Sequence, residues 1–189
     1  MKLQTNIAIA TLISLTIGTT AIADTAGDSQ TVSVTIPSVK LLDVKAASGT
    51  STAADEADAL AFTLVAPTIA GENFVADTHN GFFDVTSNVA SGGATTRKIT
   101  VSADTLGEGW KLDLDATGAT NGTGASISFT NADVAAKDLV TAIGNEAGKD
   151  NAITYTFGPE SATIVPSYTG LDGTSSEDIT LTFTLSDDA

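Results

Sequence analysis

The sequence predicts an all-β protein, an antiparallel β-sandwich of the Ig-like type, and leaves a closed barrel as the alternative. Short segments with alternating apolar and polar residues recur along the chain, which is the pattern of strands with one buried face. Turn-forming residues, including 17 glycines, separate these segments. No sustained helical period is present, and a length of 189 residues suits one domain.

The chain begins with the features of a secretory signal. Lys2 precedes an apolar run at 7–21, and Ala21-Ile22-Ala23 provides a small-residue cleavage site. Interrupted by Thr and Ser, the run is too short for a membrane span of ~20 residues. We therefore expect a signal at 1–23, a flexible leader at 24–30 and a single sandwich domain at 31–189. The mature protein is expected outside the cytoplasm, as an extracellular, cell-surface or periplasmic protein without membrane insertion after signal cleavage.

The predicted strands follow one another with short connections. Those of the first half are 31–36, 39–44, 59–65, 74–76, 82–86 and 97–102, and those of the second half are 110–115, 127–129, 153–157, 164–168 and 178–186. The pair Asn80-Gly81 predicts a tight turn, because both residues tolerate positive φ.

One segment has a helical pattern. Val134, Leu139, Val140 and Ile143 approximate one helical face, so a short helix is predicted near 133–143. Asn131 or Asp133 would cap it and Gly144 would end it. A strand followed by a turn fits the same residues nearly as well.

The amino-acid composition argues against nucleic-acid binding and against most kinds of catalysis. A net charge of -15 and a pI near 4.1 oppose nucleic-acid binding, and the absence of cysteine removes thiol chemistry. The single histidine, His79, is expected in an exposed turn, and no nucleophile elbow or phosphate-binding loop occurs. We expect no enzyme. A hydrolase using two carboxylates is the remaining enzymatic alternative, although one Trp and two Tyr provide few rings for a sugar-binding groove.

The best metal candidate is the segment 113–124. Asp113, Asp115 and Thr117 fall at alternate positions, as in a calcium loop, and Gly118 stands where such a loop turns sharply. The match fails at Gly124, where a bidentate Glu is needed. We expect no cofactor, with calcium as the weak exception. The acidic groups Asp55/Glu56/Asp58 and Asp187/Asp188 are interpreted as a solvated loop and a solvated tail.

Both ends of the mature chain alternate strongly. The segment TVSVTI places Val32, Val34 and Ile36 on one face, and it is a candidate donor for strand addition to another copy. The C-terminal segment ITLTFTLS is the candidate acceptor or core strand, with Ile179, Leu181, Phe183 and Leu185 on one face. The alternative is that 31–36 forms the first strand of its own monomer.

This layout of leader, alternating segment and alternating C-terminal strand resembles subunits of bacterial fimbriae and related surface fibres. The resemblance implies an Ig-like sandwich that polymerises by exchange of its N-terminal segment. Many fimbrial subunits carry a disulfide and an aromatic residue near the C-terminal end, whereas this chain has no Cys and ends SDDA.

We therefore expect an exported, non-enzymatic structural or adhesive subunit of the bacterial surface or extracellular matrix. Its expected partners are further copies of itself or other surface proteins, and a glycan is a further candidate ligand. The alternative function is a soluble secreted or periplasmic module that binds a glycan or calcium.

Overall fold

The computed structural model describes residues 30–46, 59–89, 95–166 and 178–188. The signal at 1–23 and most of the leader lie outside these ranges, as does the acidic group at 55–58. The chain divides into two compact units, 1–35 and 36–189. Of the first unit, the described residues 30–35 form no regular secondary structure.

All regular structure in the described residues is β-strand. The strands are β1 Lys40–Lys45, β2 Asp77–Ser87, β3 Thr96–Ala103, β4 Trp110–Asp115, β5 Thr123–Gly124, β6 Ser126–Thr130, β7 Lys137–Ile143, β8 Glu146–Pro159 and β9 Leu181–Asp188.

The strands form two antiparallel sheets in a sandwich-like layout. The first sheet has the order β1-β2-β8-β4-β6, and the second has the order β5-β7-β3-β9. The all-β, two-sheet prediction is confirmed. The barrel alternative is wrong, because the strands form two separate sheets and do not close into one.

The core lies between the sheets and consists of the inward residues of each alternating strand. Trp110 stacks on Phe157 with ring centroids 5.4 Å apart. Each large side chain that is fully buried here contributes about 1.5–3 kcal/mol. The fully buried apolar residues include Phe83, Val85, Ile99, Val101, Leu112, Leu114, Phe129, Leu139, Val140, Ile143 and Ile153.

The helix predicted near 133–143 is wrong, because most of this segment is strand β7. Leu139 and Val140 are adjacent in sequence and both fully buried, which a regular alternating strand does not allow. The register between β3 and β7 shifts twice near Ile99, and Ala142 has a φ of 56°. An irregular strand of this kind spaces its buried residues much as a helix would.

The tight turn predicted at Asn80-Gly81 is also wrong, because both residues lie within β2. Gly81 is required there by packing: a Cβ at this position would lie 2.7 Å from Cε2 of Tyr155. His79 therefore belongs to a strand and not to an exposed turn.

The sandwich has two ends. At the entry end β1 and β3 begin and β9 finishes, so that Thr96 pairs with Asp188. At the hairpin end β4 begins and β8 finishes, with Trp110 paired to Pro159, and β9 begins there beside Ala103. Strands β1 and β9 are edges of their respective sheets.

Candidate functional site

The alternating segment 31–36 makes no strand in the structure. Its apolar residues are exposed, Val32 by 75%, Val34 by 77% and Ile36 by 78%. The strand predicted at 31–36 is therefore wrong for the described structure. The physical reason is that an isolated extended segment leaves its backbone groups and its apolar face to water unless another strand covers them.

The residues directly after this segment are firmly held. The Asn88 side chain accepts a hydrogen bond from the backbone N–H of Val39 at 2.6 Å and donates one to the carbonyl of Pro37 at 2.8 Å. The Arg97 guanidinium donates to the carbonyls of Val39 and Asn88 at 2.8 and 2.7 Å. It is only 3% exposed, and its Nε lies 3.5 Å from Asp187 of β9. Residue 37 is thus fixed at the entry end beside the finish of β9.

Strand β9 pairs only with β3 within the described residues. The Asp104 N–H donates to the carbonyl of Thr180, so the backbone groups of Thr180 face β3. Backbone groups alternate in direction along an antiparallel strand, so those of every second residue after Thr180 also face β3. The N–H and C=O groups of Leu181, Phe183 and Leu185 therefore point away from β3, towards the free edge. This edge can hydrogen-bond an added strand.

The side chains beside this edge are incompletely covered. Leu181, Phe183 and Leu185 pack against the core but remain half-buried, and Ile179 does the same just before β9. On the facing sheet edge Leu42 and Val44 of β1 are also half-buried. Lys40 of β1 binds Asp187 at 2.8 Å, so the two edges lie on the same side of the sandwich. An apolar strand added to β9 would cover this seam.

Asp187 forms ion pairs with Lys40 and Arg97, so it does not belong to a solvated tail as predicted. The hydrogen bond from Lys40, followed by the charges of Lys40 and Arg97, holds the pKa of the Asp187 carboxyl below its usual value. Asp188 accepts hydrogen bonds from the Thr96 hydroxyl at 3.5 Å and from the Ala142 N–H at 3.3 Å. These acids fasten the finish of β9 to its neighbours.

Of the calcium candidates, Asp113 and Asp115 lie on the outer face of β4, and Thr117 lies in the loop that follows it. Asp113 binds Lys111 at 2.9 Å and accepts a hydrogen bond from the Ser128 hydroxyl. Asp115 accepts the Thr117 N–H at 2.8 Å, and hydrogen bonds from the side chain and backbone of Thr117 lower the pKa of Asp115. The two carboxylates thus have separate partners within the protein.

The loop after Asp115 is organised by a buried amide. The Asn151 side chain, 2% exposed, accepts hydrogen bonds from the N–H groups of Thr120 and Asn121 at 3.1 and 3.2 Å. It also donates to the carbonyl of Phe83 at 3.3 Å. In this loop the glycine with positive φ is Gly122, at 89°, and not Gly118. Asn151 thus shapes this loop through contacts within the protein.

Two further ionisable side chains, Lys45 and His79, have partners within the protein. Lys45 is nearly buried and binds Asp84 and Asp150 at 2.9 Å each. Burial works against its charged form, but the hydrogen bonds that its ammonium group donates to the two carboxylates prevail and raise the pKa of Lys45. His79 lies 3.1 Å from Asp77 and meets the Phe62 ring edge-on at 5.0 Å.

Across the ranges that the structure describes, no group of three or more His, Asp or Glu side chains is arranged to hold a metal ion.

Comparison with protein families, with curated proteins and with solved structures finds no match. Within the part of the chain that the structure describes, no helix has the length and apolar character to cross a bilayer. Two candidate regions therefore stand out, each described by itself: the exposed segment 31–36, and the β9 edge with the anchor at Asn88 and Arg97 that holds residues 37–39. The sequence indicated the segment 31–36 and the β9 strand. It gave no signal for the anchor, whose members are far apart in the chain.

Proposed function

We propose that this protein is an exported, non-enzymatic structural subunit of the bacterial surface or extracellular matrix, and that its copies assemble by strand addition. In this proposal residues 31–36 of one copy add to the β9 edge of the next. The observation that carries it is the exposed, unpaired state of Val32, Val34 and Ile36 in a segment with a perfect strand alternation.

The dimensions of donor and acceptor agree. Seven extended residues, 30–36, span about 23 Å, and the eight residues of β9 span about 26 Å. The donor offers three apolar side chains on one face, and the seam beside β9 offers half-buried side chains that would receive them. The backbone groups of β9 at the free edge would provide hydrogen bonds, which are the usual source of affinity in this mode.

The anchor at the entry end determines the strand direction. Residue 37 is fixed beside the finish of β9, so a donor folded back onto its own β9 would run parallel to it. A donor that extends away from the entry end meets the start of β9 on a neighbour stacked end to end, and there it runs antiparallel. Antiparallel pairing is the slightly more stable of the two per residue, and we therefore propose exchange between copies.

The test uses the chain from residue 24 onward and two matched variants of the donor. The donor variant replaces the apolar face (Val32→Asn, Val34→Asn, Ile36→Asn). The control variant replaces the opposite face (Thr31→Ala, Ser33→Ala, Thr35→Ala). Sedimentation velocity and electron microscopy measure assembly across a concentration series.

We expect the unchanged chain and the control variant to form linear polymers and the donor variant to stay monomeric. Loss of three buried apolar contacts is sufficient to raise the assembly concentration by more than about tenfold. A chain that remains monomeric at every concentration, or a donor variant that assembles as well as the control, would refute the proposal.

The alternative, a glycan- or calcium-binding module, has less support. Among the described residues the calcium candidates Asp113 and Asp115 are bound to protein partners. No observation on the described surface favours this function over assembly.

A further inference from the structure

A charged residue ends the otherwise apolar acceptor edge of β9. The residues whose backbone groups face the free edge alternate along the strand, and they are Leu181, Phe183, Leu185 and Asp187. The first three are apolar and half-buried, whereas the Asp187 side chain is 56% exposed. An added strand would therefore meet three apolar positions followed by one charged position.

Asp187 is held by residues from both sheets. Its carboxylate binds the Lys40 ammonium of β1 at 2.8 Å and lies 3.5 Å from Nε of Arg97 in β3. Strands β1 and β9 are edges of different sheets, so the Lys40–Asp187 ion pair spans the gap between the sheets at the entry end. The apolar seam beside β9 therefore ends at this ion pair.

The apolar face of an added donor has to point towards the core. Opposite residues of an antiparallel pair lie on the same face of the sheet, so the apolar donor residues have to lie opposite the free-edge residues of β9. Neighbouring registers that satisfy this condition differ by two residues, about 7 Å. Three registers place at least two apolar donor residues opposite apolar residues of β9. They have Ile36 opposite Ile179, Leu181 or Phe183.

The register with Ile36 opposite Phe183 conflicts with the ion pair. It would place Val32 opposite Asp187. An apolar side chain there would remove water from the Lys40–Asp187 ion pair without offering a hydrogen bond in return, which disfavours both charged groups.

The register with Ile36 opposite Ile179 loses a contact at the other end of the donor. It would place Gln30 opposite Leu185, so a polar amide would lie against a half-buried apolar side chain. Ile36 would then lie beyond the start of β9, which begins at Leu181.

We infer that the Lys40–Asp187 ion pair sets the register of the added strand. Three apolar pairs then form within β9: Ile36 with Leu181, Val34 with Phe183 and Val32 with Leu185. Gln30 lies opposite Asp187, where its amide can donate a hydrogen bond to the carboxylate. This inference rests on the proposed function, and it makes Asp187 the residue that determines which register is used.

The test is disulfide cross-linking between copies, because the chain has no cysteine of its own. A donor chain with Thr35→Cys is mixed with one of three acceptor chains, which carry Thr180→Cys, Thr182→Cys or Thr184→Cys. All four threonines are exposed, so the substitutions leave the fold intact. The chains start at residue 24, assemble and are then oxidised. Mass spectrometry of the digested protein measures the yield of each mixed disulfide.

The inferred register places Thr35 opposite Thr182 in a pair without backbone hydrogen bonds. The Cα atoms of such a pair lie about 4.5 Å apart, within the range of a disulfide. Thr180 and Thr184 would lie diagonally from Thr35, at about 7–8 Å, which is beyond the usual range. We expect the link to position 182 to exceed each of the other two by more than about fivefold.

The other outcomes separate the register from the proposed function. A dominant link from position 35 to 180 or to 184 overturns the register and leaves strand addition to β9 standing. Assembly in which none of the three pairs links overturns strand addition to β9 and the register with it. A wild-type chain that never assembles does the same.

Two substitutions in the acceptor chain test the role of Asp187. Asp187→Leu replaces the charge by an apolar side chain, so the register with Val32 opposite position 187 gains an apolar pair. The link from position 35 to 184 should then rise by more than about fivefold. Asp187→Asn also removes the charge but keeps a polar side chain, and this link should stay minor. Melting temperatures confirm that both acceptor chains fold. An Asp187→Leu chain with unchanged links would overturn the role assigned to Asp187.

Discussion

The N-terminal segment 31–36 and the C-terminal strand β9 share one sequence pattern and have different structures. Both alternate β-branched, leucine or phenylalanine residues with Thr and Ser. Strand β9 pairs with β3 over its whole length and buries its apolar face partly against the core. The N-terminal segment has no pairing, and its apolar residues are about three-quarters exposed.

The comparison separates the capacity to form a strand from the presence of a partner. An alternating pattern indicates that the apolar face of a segment is to be buried, either by the same chain or by another chain. In β9 the cover comes from the same chain and is incomplete, since the strand is an edge with half-buried side chains. For residues 31–36 we assign the missing cover to another copy.

The largest expected difference concerns the stability of the single subunit. Phe183→Ala in β9 should lower the free energy of unfolding by about 3 kcal/mol, because it leaves a gap in the core. Val34→Ala should change the same free energy by less than about 0.5 kcal/mol, because the side chain is exposed. Urea denaturation at concentrations below assembly measures both. An equal loss from Val34→Ala would mean that the segment packs on its own subunit.

A smaller effect is expected from the anchor between the two regions. Arg97→Met should lower the free energy of unfolding by about 2 kcal/mol, because the half-buried carbonyl of Asn88 loses its donor and that of Val39 loses one of its two donors. The matched control is Lys98→Met, which removes a more exposed ion pair with Asp138 and should lower this free energy by at most about 1 kcal/mol. Equal effects of the two substitutions would show that the anchor does not hold residues 37–39.

The smallest effect concerns acid stability at the finish of β9. The pKa of Asp187 is held below its ordinary value of 3.8 mainly by the hydrogen bond from Lys40. The ionised carboxylate therefore stabilises the fold above that value, and the contribution is lost as the pH falls through the lower, folded pKa.

Melting temperatures between about pH 5 and pH 2.5 test this contribution. The melting temperature of Asp187→Asn should fall less than that of the unchanged chain over this pH range. The difference between the two falls should become smaller in ~1 M salt. A steeper acid loss in Asp187→Asn would contradict the assigned ion pair.

The regular strands could be predicted and the irregular ones could not. Strands β3, β4 and β9 follow a simple alternation in which each inward residue packs on the opposite sheet, so local sequence determines them. Strand β7 has register shifts that bury Leu139 and Val140 in succession, and its pattern resembles a helix. The Asn80-Gly81 pair stays within a strand because of Tyr155, a residue distant in sequence.

The same limit applies to the candidate site. Residues 31–36 and the apolar residues of β9 were visible as patterns. The anchor at Asn88 and Arg97 depends on contacts that only the folded chain brings together, and so does the ion pair between Lys40 and Asp187, which joins two distant parts of the chain. Neither follows from any local spacing.

Hydrogen exchange at the β9 edge tests the central claim most directly. Amide exchange in the assembled protein is read residue by residue after dissociation and compared with exchange in the donor variant, which stays monomeric. The amides of Phe183 and Leu185 face the free edge, whereas those of Thr182 and Thr184 face β3 and act as internal controls. We predict that Phe183 and Leu185 exchange fast in the monomer and slowly in the assembly, with Thr182 and Thr184 protected in both. Fast exchange at Phe183 and Leu185 in the assembled protein would contradict strand addition to β9.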